Sequence, residues 1–430
     1  MRTIAVYTLG CKVNQYDTEA MLELFEQAGY VSVPFDSEAD IYLINTCTVT
    51  GTGDQKSLKT VRRVARLHPD CAIIVCGCLA QRLADEILKM DNVRLVLGVT
   101  KRGQVVELIE RALNENTRIN AVETLKNAPF EKLAVSRHEG KTRATMKIQE
   151  GCDRWCTYCI IPAVRGPVRS MPLCEVRAEA RRLAEAGYRE IVVTGIHLAS
   201  YGRGTKDALI DAIAAVHDTP GVERVRLGSL EPLVADDAFA RRLSEMPKLA
   251  RQFHLSMQSG SAGVLKRMNR RYTPEEYLSA CDTLRKYMPG CAITTDVIAG
   301  FPGETEEEFA ETEAFIQRVN FARIHVFPYS RRSGTRADRM ENQVPENIKH
   351  ERTQKLIQIG NKMEESYVYN SVGTVQRVLF EQPAGEGLAE GYTGEYIRVR
   401  ANAAPGAFEW VRILRTEGTL AIGETIEDGR

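Results

Sequence analysis

The sequence predicts an α/β protein in three parts: a doubly wound parallel sheet, an open six-unit parallel barrel and a small antiparallel β-barrel. Three observations carry this expectation. Over residues 1 to about 125, short apolar runs alternate with helical patterns, as in a parallel sheet covered by helices on both faces. The alternation restarts at Thr142 with six further strand-like runs, too few for a closed eight-unit barrel. From about residue 371 the chain turns to short strands separated by Gly, Pro and Asn, which suits a small barrel.

In the first part, strands are expected at 3–9, 41–45, 72–76 and 93–97. Helices are expected at 18–28 (stopped by Gly29), 55–67, 80–90 and 104–113. Residues 126–140 lose the pattern and read as a linker. In the central part, 141–369, strands are expected at 144–149, 190–194, 225–229, 252–257, 292–298 and 322–328. Helices lie between them, among them 175–186, closed by Gly187, and one capped by Thr273 with Pro274 in its first turn. A helix over 348–369 ends this part. The third part, 370–430, shows strand-like runs at 372–380, 388–392, 396–399, 409–414 and up to Ile426.

At 430 residues the chain exceeds ordinary single-domain size. No stretch approaches the roughly 18 apolar residues of a membrane span. A strand-like run from Thr3 leaves no room for a signal peptide. Eleven cysteines, an odd number without a secretory signal, indicate reduced thiols and metal ligation in the cytoplasm. With 57 basic and 57 acidic side chains, the protein is not a globally basic nucleic-acid binder. Two local clusters stand out, Lys266-Arg267-Met268-Asn269-Arg270-Arg271 and Arg331-Arg332-Ser333-Gly334-Thr335-Arg336. Taken singly, either reads first as a solvated face.

The segment Gly151-Cys152-Asp153-Arg154-Trp155-Cys156-Thr157-Tyr158-Cys159 is a C-x3-C-x2-C array with no fourth cysteine before Cys174. Three thiolates hold three corners of a 4Fe–4S cubane and leave one iron open, whereas structural zinc wants four ligands. An open iron suits chelation by the amino and carboxylate groups of S-adenosylmethionine (SAM). The array follows the first strand of the central part, where parallel folds place their sites. Other strand ends offer Gly195 for close backbone approach, Glu231 and Gln258 for hydrogen bonding, and Ile298 and Gly300 in a turn able to lie against an adenine. Tyr158 reads as an aromatic cover on the nucleoside. Cys11, Cys47 and Cys78 follow the first three strands of the first part and are expected to converge as a second three-coordinate cluster site. Cys76 competes with Cys78, which is favoured because it lies beyond Gly77, where the strand has ended.

The Cys152, Cys156 and Cys159 array resembles the radical-SAM superfamily. With the three N-terminal cysteines and the terminal β-barrel, nearly the whole chain is similar to the methylthiotransferase family, which joins an N-terminal methylthiotransferase domain, a radical-SAM domain and a TRAM domain. Leu9-Gly10-Cys11-Lys12-Val13-Asn14-Gln15-Tyr16-Asp17-Thr18-Glu19 resembles its MtaB branch. The resemblance implies 2-methylthiolation of N6-threonylcarbamoyladenosine at position 37 of tRNA. Cys152, Cys156 and Cys159 would hold a cluster that cleaves SAM to a 5′-deoxyadenosyl radical. Cys11, Cys47 and Cys78 would hold an auxiliary cluster that delivers sulfur. An electron donor such as flavodoxin or ferredoxin, a sulfur donor and the tRNA anticodon stem-loop are the implied partners. The third part is more acidic than basic, although Arg377, Arg398, Arg400 and Arg412 offer a local basic stripe. Arg270, Arg271, Arg331 and Arg332 are therefore the expected phosphate contacts. Other readings are methylthiolation of isopentenyladenosine or of a ribosomal-protein aspartate, and a non-catalytic iron–sulfur RNA-binding protein.

Overall fold

The computed structural model describes residues 2–133, 135 and 142–427. The first part is a parallel sheet ordered β2-β1-β3-β4-β5-β6. It comprises β1 (Thr3–Thr8), β2 (Val31–Val33), β3 (Ile41–Thr46), β4 (Ala72–Gly77), β5 (Val93–Val96) and β6 (Ile119–Asn120). Strands β3 and β4 are buried end to end, which is why their apolar runs show no polar alternation. Met21, Phe25, Leu108 and Ile109, from the helices Lys12–Gln27 and Val105–Asn114, cover one face. Val61, Val64, Leu79 and Ile87 cover the other.

Two helices depart from expectation. The first starts at Lys12 rather than Thr18, because its opening turn buries Asn14 and Asp17 and so breaks the apolar period that marks a packed helix. The expected helix over 80–90 is two short ones, Cys78–Arg82 and Ala84–Leu88, separated at Leu83.

The central part carries six parallel strands in chain order: β7 (Arg143–Glu150), β9 (Glu190–Gly195), β10 (Arg224–Leu227), β11 (Gln252–His254), β12 (Ala292–Ala299) and β13 (Arg323–Pro328). A short antiparallel strand, β8 (Arg169–Ser170), borders β7. Between β10 and β11 the link thins to the bridges Val225–Leu249 and Leu230–Leu255. Strands β7 and β13 do not pair, so the barrel is open. In β7, Ala144, Met146 and Ile148 join the core beneath the outer helices. The alternate residues Thr145, Lys147 and Gln149 are buried and polar.

The third part is a closed barrel ordered β14-β15-β16-β18-β17: β14 (Val375–Pro383), β15 (Leu388–Tyr392), β16 (Arg398–Asn402), β17 (Phe408–Glu417) and β18 (Leu420–Ile426). Val378, Phe380, Val399, Val411 and Ile413 fill it, and Val368 of the helix Glu346–Tyr369 packs against them. It docks where the central strands begin. Arg224 donates to the carbonyls of Tyr392 (3.0 Å) and Arg377 (2.6 Å), and Arg226 to those of Thr393 (2.9 Å) and Gly394 (3.1 Å). Buried Glu190 pairs with both arginines.

The first part bridges the open side of the barrel. Asp17 pairs with Lys147 on β7 and with Arg165 (3.3 Å). On the opposite edge, Asp54 pairs with Arg332, which follows β13, at 2.6 Å. Of the expected linker, residue 134 and those from 136 on lie outside the described residues. Leu133 and Val135 pack with Tyr16 and Ala20.

Candidate active site

The first cysteine loop is shaped by the end of β7. Gly151 has φ +75°, and a Cβ there would overlap the carbonyl oxygen of Pro167, so only glycine turns this corner. Gln149 braces it by donating to the carbonyls of Glu150 (2.9 Å) and Gly151 (2.8 Å) while accepting from the His197 amide (2.7 Å). Gly195 is what lets Gln149 in, since a Cβ there would stand 2.8 Å from the Gln149 side chain. The Cys152 amide donates to Gly166 O and the Cys159 amide to Cys156 O, both at 3.0 Å. Thr157 ties the loop to the basic segment through the carbonyls of Met268 (3.0 Å) and Arg267 (2.8 Å). The thiols lie close enough to influence one another electrostatically, and burial pushes Cys159 up to about 12.

Several expected strand-end residues meet at this loop. Glu231 is buried, pairs with Arg154 of the cysteine loop and lies 3.4 Å from His197 Nε2. Burial works to raise its pKa, but His197, Arg154 and Arg270 hold it below the ordinary carboxylate value. Tyr158 and Ile298 pack on one cluster with Phe301 and Met268. Gly300 has φ +73°, and a Cβ there would overlap the side chain of Lys349. Gln258 adopts φ +69° and exchanges backbone hydrogen bonds with Asp296 and Ile298, both at 2.9 Å.

The N-terminal cysteines form a second group. Cys11 caps the helix Lys12–Gln27, Cys47 follows β3, and Cys78 opens the helix Cys78–Arg82. A Cβ on Gly10 would lie 3.1 Å from Cys47 Sγ, so glycine keeps these two turns in contact. Burial pushes Cys78 to about 11, with the Arg165 guanidinium, 3.1 Å from its sulfur, pulling the other way. Cys76 points instead into the core beside Leu43 and Leu95, where burial raises it further still. Among the described residues, no three His, Cys, Asp or Glu side chains gather tightly enough to hold a single metal ion.

Residues 3–98 match the family model described as Uncharacterized protein family UPF0004, and residues 146–316 match the Radical SAM superfamily. A Bacillus subtilis protein named Threonylcarbamoyladenosine tRNA methylthiotransferase MtaB is 44% identical over 93% of this chain and 90% of its own length. The chain belongs to the MtaB branch of the radical-SAM methylthiotransferase family. A Thermotoga maritima protein of the same name is 36% identical over 100% of this chain and 99% of its own. An Acetivibrio thermocellus tRNA-2-methylthio-N(6)-dimethylallyladenosine synthase is 34% identical, covering 87% and 79%. Among solved structures, the radical S-adenosylmethionine methyltransferase TsrM from Kitasatospora setae aligns with a TM-score of 0.58 at 13% identity, over 90% of this chain and 77% of its own. Family membership brings SAM and a 4Fe–4S cluster, and three cysteines without a fourth protein ligand fit that group.

Two expected phosphate contacts are corrected. Arg270 turns inward, donating to Cys156 Sγ (3.3 Å) and the Ser256 carbonyl (3.2 Å) with its guanidinium over the Tyr272 ring. Arg332 is buried in its bidentate pair with Asp54. Both are committed to the interior because a desolvated cation requires a partner. Arg271 and Arg331 remain exposed. The suggested stripe in the third part is also committed in part, since Arg398 and Arg400 clamp Glu390 and Arg377 pairs with Glu223. Sequence reasoning missed Arg165, Asn14 and Arg154. The available signal was a pair of polar residues, Asn14 and Asp17, inside a helix that otherwise buries its face.

Proposed function

We propose that the protein attaches a methylthio group to carbon 2 of N6-threonylcarbamoyladenosine at position 37 of tRNA, using SAM and two 4Fe–4S clusters. One observation carries this reading: two three-cysteine groups, from two separately built sheets, are linked across the buried side chain of Arg165. The names and identities of the relatives support the substrate, the higher identity falling to threonylcarbamoyladenosine enzymes.

Bound SAM and the clusters would supply radical generation and sulfur delivery, which general acid–base chemistry cannot achieve at an unactivated ring carbon. The chain's task is placement. Cys152, Cys156 and Cys159 hold the first cluster, while Cys11, Cys47 and Cys78 hold the second. Glu231 offers a charged acceptor beside the Cys152–Cys159 loop, with Arg154 and His197 fixing its direction. Gly195, Gln258 and Gly300 shape the cofactor wall, and Tyr158 and Ile298 give it an apolar side. Arg271 and Arg331 contact the tRNA backbone.

The functional units are 1–125, 141–369 and 370–430. The setting is cytoplasmic, with a flavodoxin- or ferredoxin-type electron donor and a separate sulfur donor; no helix among the described residues is long and apolar enough to cross a membrane.

Nucleoside analysis of tRNA from a deletion strain tests the substrate. Loss of the methylthio-threonylcarbamoyl nucleoside is expected, and loss of the isopentenyl form instead would reassign it. Anaerobically reconstituted protein should carry about eight irons and release 5′-deoxyadenosine from SAM. A purely RNA-binding role predicts no such release.

A further inference from the structure

We propose that Arg165, contributed by the central part, is a positioning residue for the auxiliary cluster: its hydrogen bond to Cys78 fixes that ligand and raises the cluster's reduction potential. The inference rests on the two-cluster reading above and names a residue that acts on the cluster through its ligand.

The Arg165 side chain is fully buried, and its donors fan out to four partners. Nε donates to Cys78 Sγ at 3.1 Å. Nη1 reaches both carboxylate oxygens of Glu150 at 3.0 Å and Asp17 at 3.3 Å. Nη2 donates to Asn14 Oδ1. Asn14 then donates from Nδ2 to the carbonyls of Leu9 (2.7 Å) and Thr46 (3.0 Å). Those carbonyls sit just before Gly10-Cys11 and just before Cys47, so one guanidinium reaches all three cysteine turns. On its other side Glu150 accepts from the Gly151 amide at 3.3 Å, one residue before Cys152. Arg165 is thus a polar contact between the two cysteine groups.

A planar guanidinium suits this task, since it presents five donors in fixed directions while an ammonium is a compact point. Its effect on sulfur has a definite sign. Adding an electron to a cluster adds negative charge, and a cationic hydrogen bond to a ligand sulfur stabilises the reduced form more than the oxidised one. In a water-excluded site that preference is weakly screened.

The test is potentiometric titration, monitored by electron paramagnetic resonance, of full-length protein in which Cys152, Cys156 and Cys159 are alanine, so that only the auxiliary cluster contributes. In this background Arg165→Lys keeps the charge facing Asp17 and Glu150 but cannot span the partners, and Arg165→Gln/Glu150→Gln removes one buried charge of each sign. Either result supports the proposal: loss of the auxiliary irons from folded protein, or a midpoint lowered by a tenfold change in the reduction equilibrium, about 59 mV for one electron. Arg352→Gln, which breaks a buried ion pair with Glu304 within the central part, should leave the midpoint unmoved. Full iron content with an unchanged midpoint in the two Arg165 variants overturns the proposal. Absence of auxiliary iron from the parent would instead sink the two-cluster reading, so the two failures are distinguishable.

Discussion

Replacing Asp17 with alanine removes the centre of a buried charge network. Asp17 and Glu150, each 2% exposed, face Arg102, Lys147 and Arg165, each 3% exposed or less. Glu131 joins as a third anion, and buried Arg169 faces Glu150 as a fourth cation. Without Asp17, Arg102, Lys147 and Arg165 lose a shared counter-charge, and breaking such a set by deleting one partner costs about 3–5 kcal/mol. An independent ceiling comes from Lys147, the cation able to shed its proton. Neutralising a lysine of ordinary pKa at pH 7 costs about 3.4 × 1.36, roughly 5 kcal/mol. Burial and Arg102 already lower Lys147, so the loss should fall below that ceiling. Against a typical stability of about 5–15 kcal/mol this is a large fraction.

The assay is urea unfolding of iron-depleted protein by circular dichroism, reading the first transition because a chain of several domains need not unfold in one step. Its pH dependence carries a sign. Burial alone would raise Asp17 and Glu150, but Arg102, Lys147 and Arg165 hold both below their ordinary values. In the parent, the network's contribution is therefore complete above about pH 4, the unfolded carboxylate range, and is lost as pH falls through the lower folded values. In Asp17→Ala the stranded Lys147 has a further depressed pKa. The deficit should shrink as pH rises toward about 10, where the unfolded lysine also loses its proton. Asp17→Ala/Lys147→Met should recover most of the loss. A deficit under about 1 kcal/mol at pH 7, or no recovery in the double variant, would refute this account.

Other expectations concern the cysteine turns and the surface. Gly151→Ala should leave the sheet intact yet remove about four irons, read by iron and sulfide analysis, because backbone of Pro167 occupies the Cβ position. Cys78→Ala should likewise lose about four irons while Cys76→Ala keeps about eight, with circular dichroism confirming that both fold. Arg271→Ala and Arg331→Ala should each weaken tRNA binding and reduce the slope of log affinity against log salt by about 1. Unchanged slopes would move the phosphate contacts elsewhere.

The backbone plan was legible because it rests on apolar period and turn residues. The apolar runs Ile41-Tyr42-Leu43-Ile44 and Ala72-Ile73-Ile74-Val75 declared a sheet buried on both faces, and Thr273-Pro274 marked a helix start that the structure caps through Glu276. The cysteine spacing was equally readable. Contacts between parts were not, because they depend on which side chains meet across sequence separations that no local pattern encodes. Arg332 and Arg270 sat in basic runs and read as solvent-facing, but each meets a partner from a distant element. Arg165 lies in a stretch for which the sequence predicted neither an element nor a site. The late expected start of the helix at 12–27 is the same lesson in reverse: buried polar residues that serve another part disguise the period of their own element.

The two ion-paired seams, Asp17 with Lys147 and Asp54 with Arg332, lie at opposite edges of the open barrel. A flap would be fastened along one side and free on the other. Here neither edge can lift without separating an ion pair, so the first part acts as a fixed wall of the barrel rather than as a lid.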